Sequence, residues 1–332
     1  MSQTCDRCKK EYNRLSAYQK HINKTPQCKR MSTAVKPVLK WVGGKSQILE
    51  DVLDQFPQQM VNYHEPFLGG GSVLLGILTR RQEGKIAISG TIYASDLNAN
   101  LIAFYRVLQN DPDFLITEAN RLVVEASQCL TDQPINRTPA TIDQAMTSLE
   151  AYYFWIRGQY NRMTVADKGT ARGAAMFLFI NKNGFRGMYR EGPHGINVPY
   201  GNYGNPFLMD IDHVHTVSRM IQGVVFMVRP FLDALSHVQA GDFVYLDPPY
   251  APETNRSFVG YMADGFNADQ HEQLFARCAT LPCRWLMSNA DVPLVREAFI
   301  PPTYLTTVIT CRRAIHSKHP ETVANEVMIV RI

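Results

Sequence analysis

No run of apolar residues in this sequence approaches the roughly 18 that a membrane-spanning helix needs. The first residues are polar and basic, without the apolar core of a signal peptide. The chain is therefore expected to stay off membranes, inside the cell, and not to be secreted. Internal repeats and low-complexity tracts are absent as well. A disulfide framework is not expected: the seven cysteines are odd in number and scattered, and three fall in the first 28 residues. That distribution suits a reducing compartment and a local metal site. Strong net charge is missing too, at only +4. The charge is nevertheless uneven, because residues 1–45 carry +9 and the remainder −5. A basic head on a mildly acidic body attracts polyanions or merely solubilises, and charge alone does not separate the two.

What is present fits a globular chain. Hydrophobic residues make up 45% and charged residues 19% of 332 positions, enough for a large domain and a smaller one. Residues 1–30 are basic and cysteine-containing, and "MSTAVKP" (31–37) reads as a linker. Strand and helix patterns then alternate. "VNYHEPF" and "TIYASDL" are β-branched and aromatic and end in acids, with a helically spaced "GSVLLGILTRRQE" between them. Further strands are expected at "GVVFMV", "DFVYLD", "RWLMSN", "TYLTTVITCRR" and "NEVMIVRI". Between about Asn100 and Ile221 the pattern turns helical and then Gly-, Asn- and Pro-rich, as in a mostly helical lobe inserted into an α/β sheet.

The spacing Cys5-x2-Cys8-x12-His21-x6-Cys28 offers three thiolates and an imidazole to a tetrahedral zinc ion. Tyr12 and Tyr18 fall where a small ββα finger keeps its two core side chains. The pattern resembles the zinc-finger family with Cys in place of the last His, and its final gap is wider than usual. Without metal so short a segment buries too little core to fold. The resemblance implies that Arg14, Ala17 and Lys20 face nucleic-acid bases, about 3 bp per finger; contact with protein is the competing role.

"EPFLGGGSVLLG" runs from a strand end at Glu65, past Phe67, through Gly69, Gly70 and Gly71 into a helix. Glycines there allow a sharp turn and close approach of a ligand. Asp96 follows Gly69 by 27 residues and closes the next strand, where a carboxylate accepts from a ribose diol. A dinucleotide site has the same outline. The pattern is not G-x-G-x-x-G, however, and no P-loop lysine follows, so a diphosphate-free nucleoside such as S-adenosylmethionine fits better. Upstream, "LKWVGGKSQIL" adds Trp41, whose π face suits an adenine or a sulfonium, and Lys45 at a helix entry.

"DFVYLDPPYAP" ends an apolar strand in Asp247, Pro248, Pro249 and Tyr250. Pro248 holds Asp247 extended and donates no hydrogen bond. The Asp247 carboxylate and Pro248 carbonyl then present acceptors to one exocyclic amine, and Tyr250 stacks on the ring that carries it. Oriented acceptors and in-line geometry supply most of what methyl transfer from a sulfonium requires. A base inside a duplex must be flipped out to reach such a pocket.

With "KWVGGK", "EPFLGGGS", a helical insert and "DPPY" in this order, the sequence resembles the alpha-group DNA adenine-N6 methyltransferases. More narrowly it resembles the Dam family that methylates adenine in GATC. The likeness covers roughly residues 37–332 and includes "FINKNGFRGMYR", "NVPYGNY", "MSNAD" and "CRRAIHS". It implies an α/β, Rossmann-like S-adenosylmethionine-dependent methyltransferase sheet formed by residues 38–100 and 221–332, with a target-recognition lobe at 101–220. By the same resemblance Trp41, Lys45, Asp96 and Asp247 contact the cofactor, Glu65, Phe67, Gly69 and Gly71 shape its pocket, and Asp247 to Tyr250 hold the adenine. Arg190 matches a guanine-reading arginine, a contact that contributes about 1–3 kcal/mol of discrimination. The likeness also puts Lys40 near the DNA and Pro199 in the loop that meets base edges, while Arg312 and Arg313 read either as phosphate contacts or as a solvated basic loop end. The family has Asn where Arg186 stands, which leaves the recognition sequence open. The expected partner is double-stranded DNA, met by a monomer. Three other readings remain: a cytosine-N4 methyltransferase, since the motif accepts any planar amine; an enzyme acting on a protein glutamine or an RNA base; and a zinc-finger DNA-binding protein with an inactive methyltransferase fold.

Overall fold

The computed structural model describes residues 2–24, 28, 30–130, 135–203, 209–251, 266–312 and 323–332, with backbone alone at 311, 312, 323 and 324. Seven strands form the central sheet: β1 (Tyr63–Glu65), β2 (Ile92–Asp96), β3 (Val224–Val228), β4 (Phe243–Leu246), β5 (Arg284–Ala290), β6 (Tyr304–Arg312) and β7 (Val323–Arg331). Their spatial order is β3-β2-β1-β4-β5-β7-β6. The first five run parallel, and β7 enters antiparallel between β5 and β6. All seven fall on the segments expected from the sequence, with β5 running one residue past its segment and β7 starting two residues before its own. Strands β1 and β4 are buried along their whole length, as parallel strands covered on both faces must be. The strand order reverses between β1 and β4, and beyond the carboxyl ends of such a pair an open α/β sheet leaves its ligand crevice.

One face of the sheet packs on helices Ser72–Gln82 and Ala99–Asn110, and the same core continues into helices Pro112–Ser127, Leu149–Arg162 and Ala171–Asn183. Tyr63 and Phe243 of the sheet thus belong to one apolar cluster with Leu115, Tyr152 and Phe177. Helix Ala171–Asn183 is central to the helical layer and buried nearly all round. Helix Ala99–Asn110, at the expected border of the lobe, touches both the sheet and Ala171–Asn183. The opposite face carries a second cluster under helices Phe231–Ser236, Ala268–Thr280 and Pro293–Ala298.

Local chemistry sets the breaks between elements. Asn98, Ser148, Thr170 and Asp210 each cap a helix by accepting from a backbone N–H, and Asn267 forms a capping box with Gln270. The turn after β1 depends on glycine. Gly71 has φ +69, and a Cβ there would come within 2.6 Å of the Tyr105 hydroxyl. A left-handed non-glycine residue costs about 1–2 kcal/mol before any clash. Gly71→Ala is therefore expected to lower unfolding free energy by at least about 1–2 kcal/mol in urea titration; an unchanged midpoint would show that the turn relaxes freely.

Candidate active site

Lys45 begins a short 3-10 turn whose backbone is fixed by Ser72 Oγ accepting from the Lys45 N–H at 3.1 Å. Its side chain is only 4% exposed and must find acceptors inside the protein. Nζ lies 2.7 Å from Asp247 Oδ1, donates to the Gly43 carbonyl at 2.9 Å, and stands 4.8 Å from the centre of the Tyr250 ring. Ser288 of β5 donates to the same Asp247 oxygen at 2.9 Å, and Tyr245 of β4 is hydrogen-bonded to Ser288. Asn289 accepts from the Ala251 N–H, and buried His271 meets the Pro249 carbonyl at 3.1 Å. The loop Asp247–Ala251 is thereby held by four side chains from three elements, with Pro248 buried and Pro249 exposed.

Beside it, Asp96 at the tip of β2 accepts from the backbone N–H groups of Gly69 and Asn98 at 3.0 and 2.9 Å. Burial raises the Asp96 carboxyl above its ordinary range, against these hydrogen bonds. Gly69 and Gly70 lie under Trp41, so close that a Cβ on Gly70 would come 2.6 Å from Trp41 Cβ. The Trp41 ring stacks on Tyr189 with centroids 5.4 Å apart. Glu65 is 2% exposed and accepts from the Tyr63 hydroxyl at 2.7 Å. Burial, with the nearby charges of Asp247 and Asp96, pushes its carboxyl up to about 8 although the Tyr63 bond opposes the rise. Phe67 stacks on Phe231 and meets Phe266 edge-on. Trp41, Lys45, Glu65, Gly69, Gly71, Asp96, Asp247 and Tyr250 thus gather round the carboxyl ends of β1, β2 and β4.

The residues expected at DNA form a second group. Asn181, a buried polar residue in an apolar helix, exchanges two hydrogen bonds with the Lys40 backbone, at 2.8 and 2.7 Å. Lys40 Nζ donates to the Lys182 carbonyl and sits over Tyr203. Burial, helped by Lys40, lowers the Lys182 ammonium to about 8. Exposed Arg186 takes φ +55, with its guanidinium 5.2 Å from the ring centre of exposed Phe185. The Phe185 N–H donates to the Pro199 carbonyl, which ties the two loops together. Arg190 precedes a hairpin and grips Asn197 through Nε at 2.6 Å and Nη2 at 3.1 Å. The Arg312 backbone ends β6 opposite Val323, and Arg313 lies outside the described residues.

At the amino end, Gln3–Thr4 and Glu11–Tyr12 pair as a two-stranded sheet before helix Leu15–Ile22. Cys5, Cys8, His21 and Cys28 bring their ligand atoms within 4.8 Å of one another. Cys8 Sγ to His21 Nε2 is 3.3 Å and Cys5 Sγ to Cys28 Sγ 3.6 Å, close to the edges of about 3.5–3.8 Å in a tetrahedron of zinc bond lengths. Tyr12 packs on Tyr18 and on His21. The unit is tied to the body by ion pairs of Arg7 with Asp51 at 2.9 Å and of Arg30 with Asp51 and Asp54, and Arg80 of the body shares Asp54 and pairs with Glu50.

A seven-stranded sheet of this order, with acids at its strand tips around a glycine turn, defines an S-adenosylmethionine-dependent methyltransferase fold. Residues 41–307 match the family described as D12 class N6 adenine-specific DNA methyltransferase, and the chain belongs to that family. It is 34% identical to the Type II methyltransferase M.MjaIII of Methanocaldococcus jannaschii over 247 residues, 72% of this chain and 78% of the relative. Two DNA adenine methylases are also similar. That of Vibrio cholerae is 30% identical over 71% of this chain and 73% of its own length, and that of Escherichia coli K12 is 28% identical over 78% and 82%. The family is built around S-adenosylmethionine and acts on DNA.

Sequence reasoning did not find Tyr189, Ser288 or His271 beside these residues, nor Glu326, which accepts from the Tyr250 hydroxyl. Ser288 lies in the noted "MSNAD" segment, but its bond to Asp247 is made across strands. The pH behaviour of Glu65 tests the site's electrostatics. Its folded carboxyl titrates near 8 and its ordinary value is 4.5, so folding takes up a proton between them. The associated stability is full below pH 4.5 and disappears as pH rises through about 8. In the ligand-free protein, the stability of Glu65→Gln relative to wild type should therefore increase from pH 5 to 8 in parallel denaturant titrations. A pH-independent difference would contradict a protonated Glu65.

Proposed function

We propose that the protein transfers methyl from S-adenosylmethionine to N6 of an adenine flipped out of duplex DNA, with GATC as the first sequence to test. The observation that carries this reading is the Asp247–Tyr250 loop, held by Lys45, Ser288, Asn289 and His271 at the end of the sheet where Asp96 and Glu65 close their strands. The donor set fits the cofactor: close-approach glycines, a carboxylate at a strand tip where a ribose would lie, and a buried Glu65 whose ionisation a cation would favour. When bound, S-adenosylmethionine supplies an activated methyl on a positive sulfur. Asp96 would hold its ribose, Trp41, Phe67, Gly69 and Gly71 its outline, and Lys45 would orient Asp247. The Asp247 carboxylate and the Pro248 carbonyl accept from the two N–H bonds of the amine and draw the proton it must lose. Tyr250 stacks on the base. Lys40, Arg186, Arg190 and Pro199, gathered near the cleft, would meet the DNA, with Arg312 and Arg313 further along it. Arg186 stands where the family has Asn, so sequencing of methylated DNA decides the context.

Zinc fits the cluster of Cys5, Cys8, His21 and Cys28, where it would hold residues 1–30 as a finger. The exposed Arg14, Ala17 and Lys20 would then face DNA, and the chain would act as a monomer.

Asp247→Ala should abolish methyl transfer while duplex DNA binding persists; the readout is transfer of labelled methyl alongside a gel-shift titration. Mass analysis of nucleosides from DNA treated with the wild-type protein should show N6-methyladenine, and N4-methylcytosine in its place would overturn the target. Replacing Arg14 and Lys20 together by Ala should weaken DNA binding and reduce the slope of log K against log salt by up to about 2. An unaltered slope would assign the finger to another partner.

A further inference from the structure

Tyr250 is anchored from a strand that belongs to none of the sequence motifs of the site. Its hydroxyl donates to Glu326 Oε2 at 2.7 Å. Glu326 lies on β7 and is registered on both sides, opposite Ala290 of β5 and Ile309 of β6. Two ladders therefore fix the backbone that carries this carboxylate. The Lys45 ammonium stands 4.8 Å from the ring centroid. Polar tip and ring are thus both restrained, in a half-buried side chain that would otherwise turn about its χ angles. Burial and the charges of Asp247 and Glu326 push the phenol well above its ordinary value, so it remains a donor.

We infer that Glu326 is a positioning residue for the transfer reaction: it fixes the plane of Tyr250 so that the extruded base meets a stacking surface already in place. The inference rests on the base-holding role proposed for Tyr250. Ordering an aromatic side chain at the moment of binding costs free energy that a pre-set ring does not lose again. The effect belongs to the DNA side of the reaction, because Glu326 reaches the site through Tyr250 and not through Asp96 or Trp41.

The test uses the full-length protein and a duplex oligonucleotide carrying the methylated sequence. Steady-state kinetics are compared for Glu326→Ala, Glu326→Gln, Tyr250→Phe, Tyr250→Ala and the double variant Tyr250→Phe with Glu326→Ala. A hydrogen bond to a charged group corresponds to roughly a 10- to 100-fold effect. Glu326→Ala and Tyr250→Phe should each lower kcat/KM for DNA by about that factor, with S-adenosylmethionine affinity by calorimetry changed less than about twofold. The double variant should be no worse than the worse single one, and Glu326→Gln, which still accepts from the phenol, should recover most of the loss. With 2-aminopurine at the target position, Glu326→Ala should shift the fluorescence of the bound complex. Full activity in Glu326→Ala beside an inactive Tyr250→Ala overturns the inference alone. So do multiplicative losses in the double variant. Normal kinetics in Tyr250→Ala would overturn the base-holding reading itself. Should Glu326→Ala fail to fold by thermal melting, Tyr250→Phe and Glu326→Gln decide: a loss in the first without a loss in the second supports the inference, and losses in both or in neither overturn it.

Discussion

A lysine ammonium removed from water needs a counter-charge, and Lys45 finds it in Asp247. That contact joins a segment ahead of β1 to the loop after β4, and it exists because the sheet sets β1 and β4 side by side. Much of the site follows from it. Asp247 is fixed at the mouth of the crevice by Lys45 from one side and Ser288 from the other. Tyr250 is brought near the same ammonium. Since Lys45 is committed to Asp247, the buried Glu65 has no cation of its own among the described residues and keeps its proton at neutral pH. A ligand that brings positive charge beside it would lower the cost of ionising Glu65.

The second constraint is continuity. The helical layer that carries the Phe185–Pro199 loops has no core separate from that of the sheet. The paired hydrogen bonds between Asn181 and the Lys40 backbone fasten that layer to the segment leading into Trp41 and Lys45. The Phe185–Pro199 loops and the strand ends bearing Asp96 and Asp247 are therefore fixed relative to one another by packing, which is stiff because protein interiors are close-packed. The amino-terminal unit is attached differently. Its bonds to the body are part-exposed ion pairs of Arg7 and Arg30 with Asp51 and Asp54, each worth about 0–1 kcal/mol and weakened by salt. Packing fixes the Phe185–Pro199 loops, and ion pairs join the amino-terminal unit to the body.

The sequence by itself determined the strands, the Cys5, Cys8, His21 and Cys28 cluster and the motif carriers, because each is written in local pattern. Alternation of β-branched residues marks a strand, a glycine cluster marks a turn that only glycine takes, and Cys and His at ligand spacing mark a site wherever they fold. Trp41, Lys45, Glu65, Asp96 and Asp247 were legible for that reason. Only the tertiary structure decided what touches what. It set Tyr189 on Trp41, Ser288 on Asp247, His271 on Pro249 and Glu326 on Tyr250, across separations of 148, 41, 22 and 76 residues. No local pattern encodes these pairs. Each depends on strand order and register, which emerge when the whole sheet assembles and buries both of its faces. The protonation of Glu65 is of the same kind, since burial beside two other carboxylates is a property of the assembled crevice and of no segment in it.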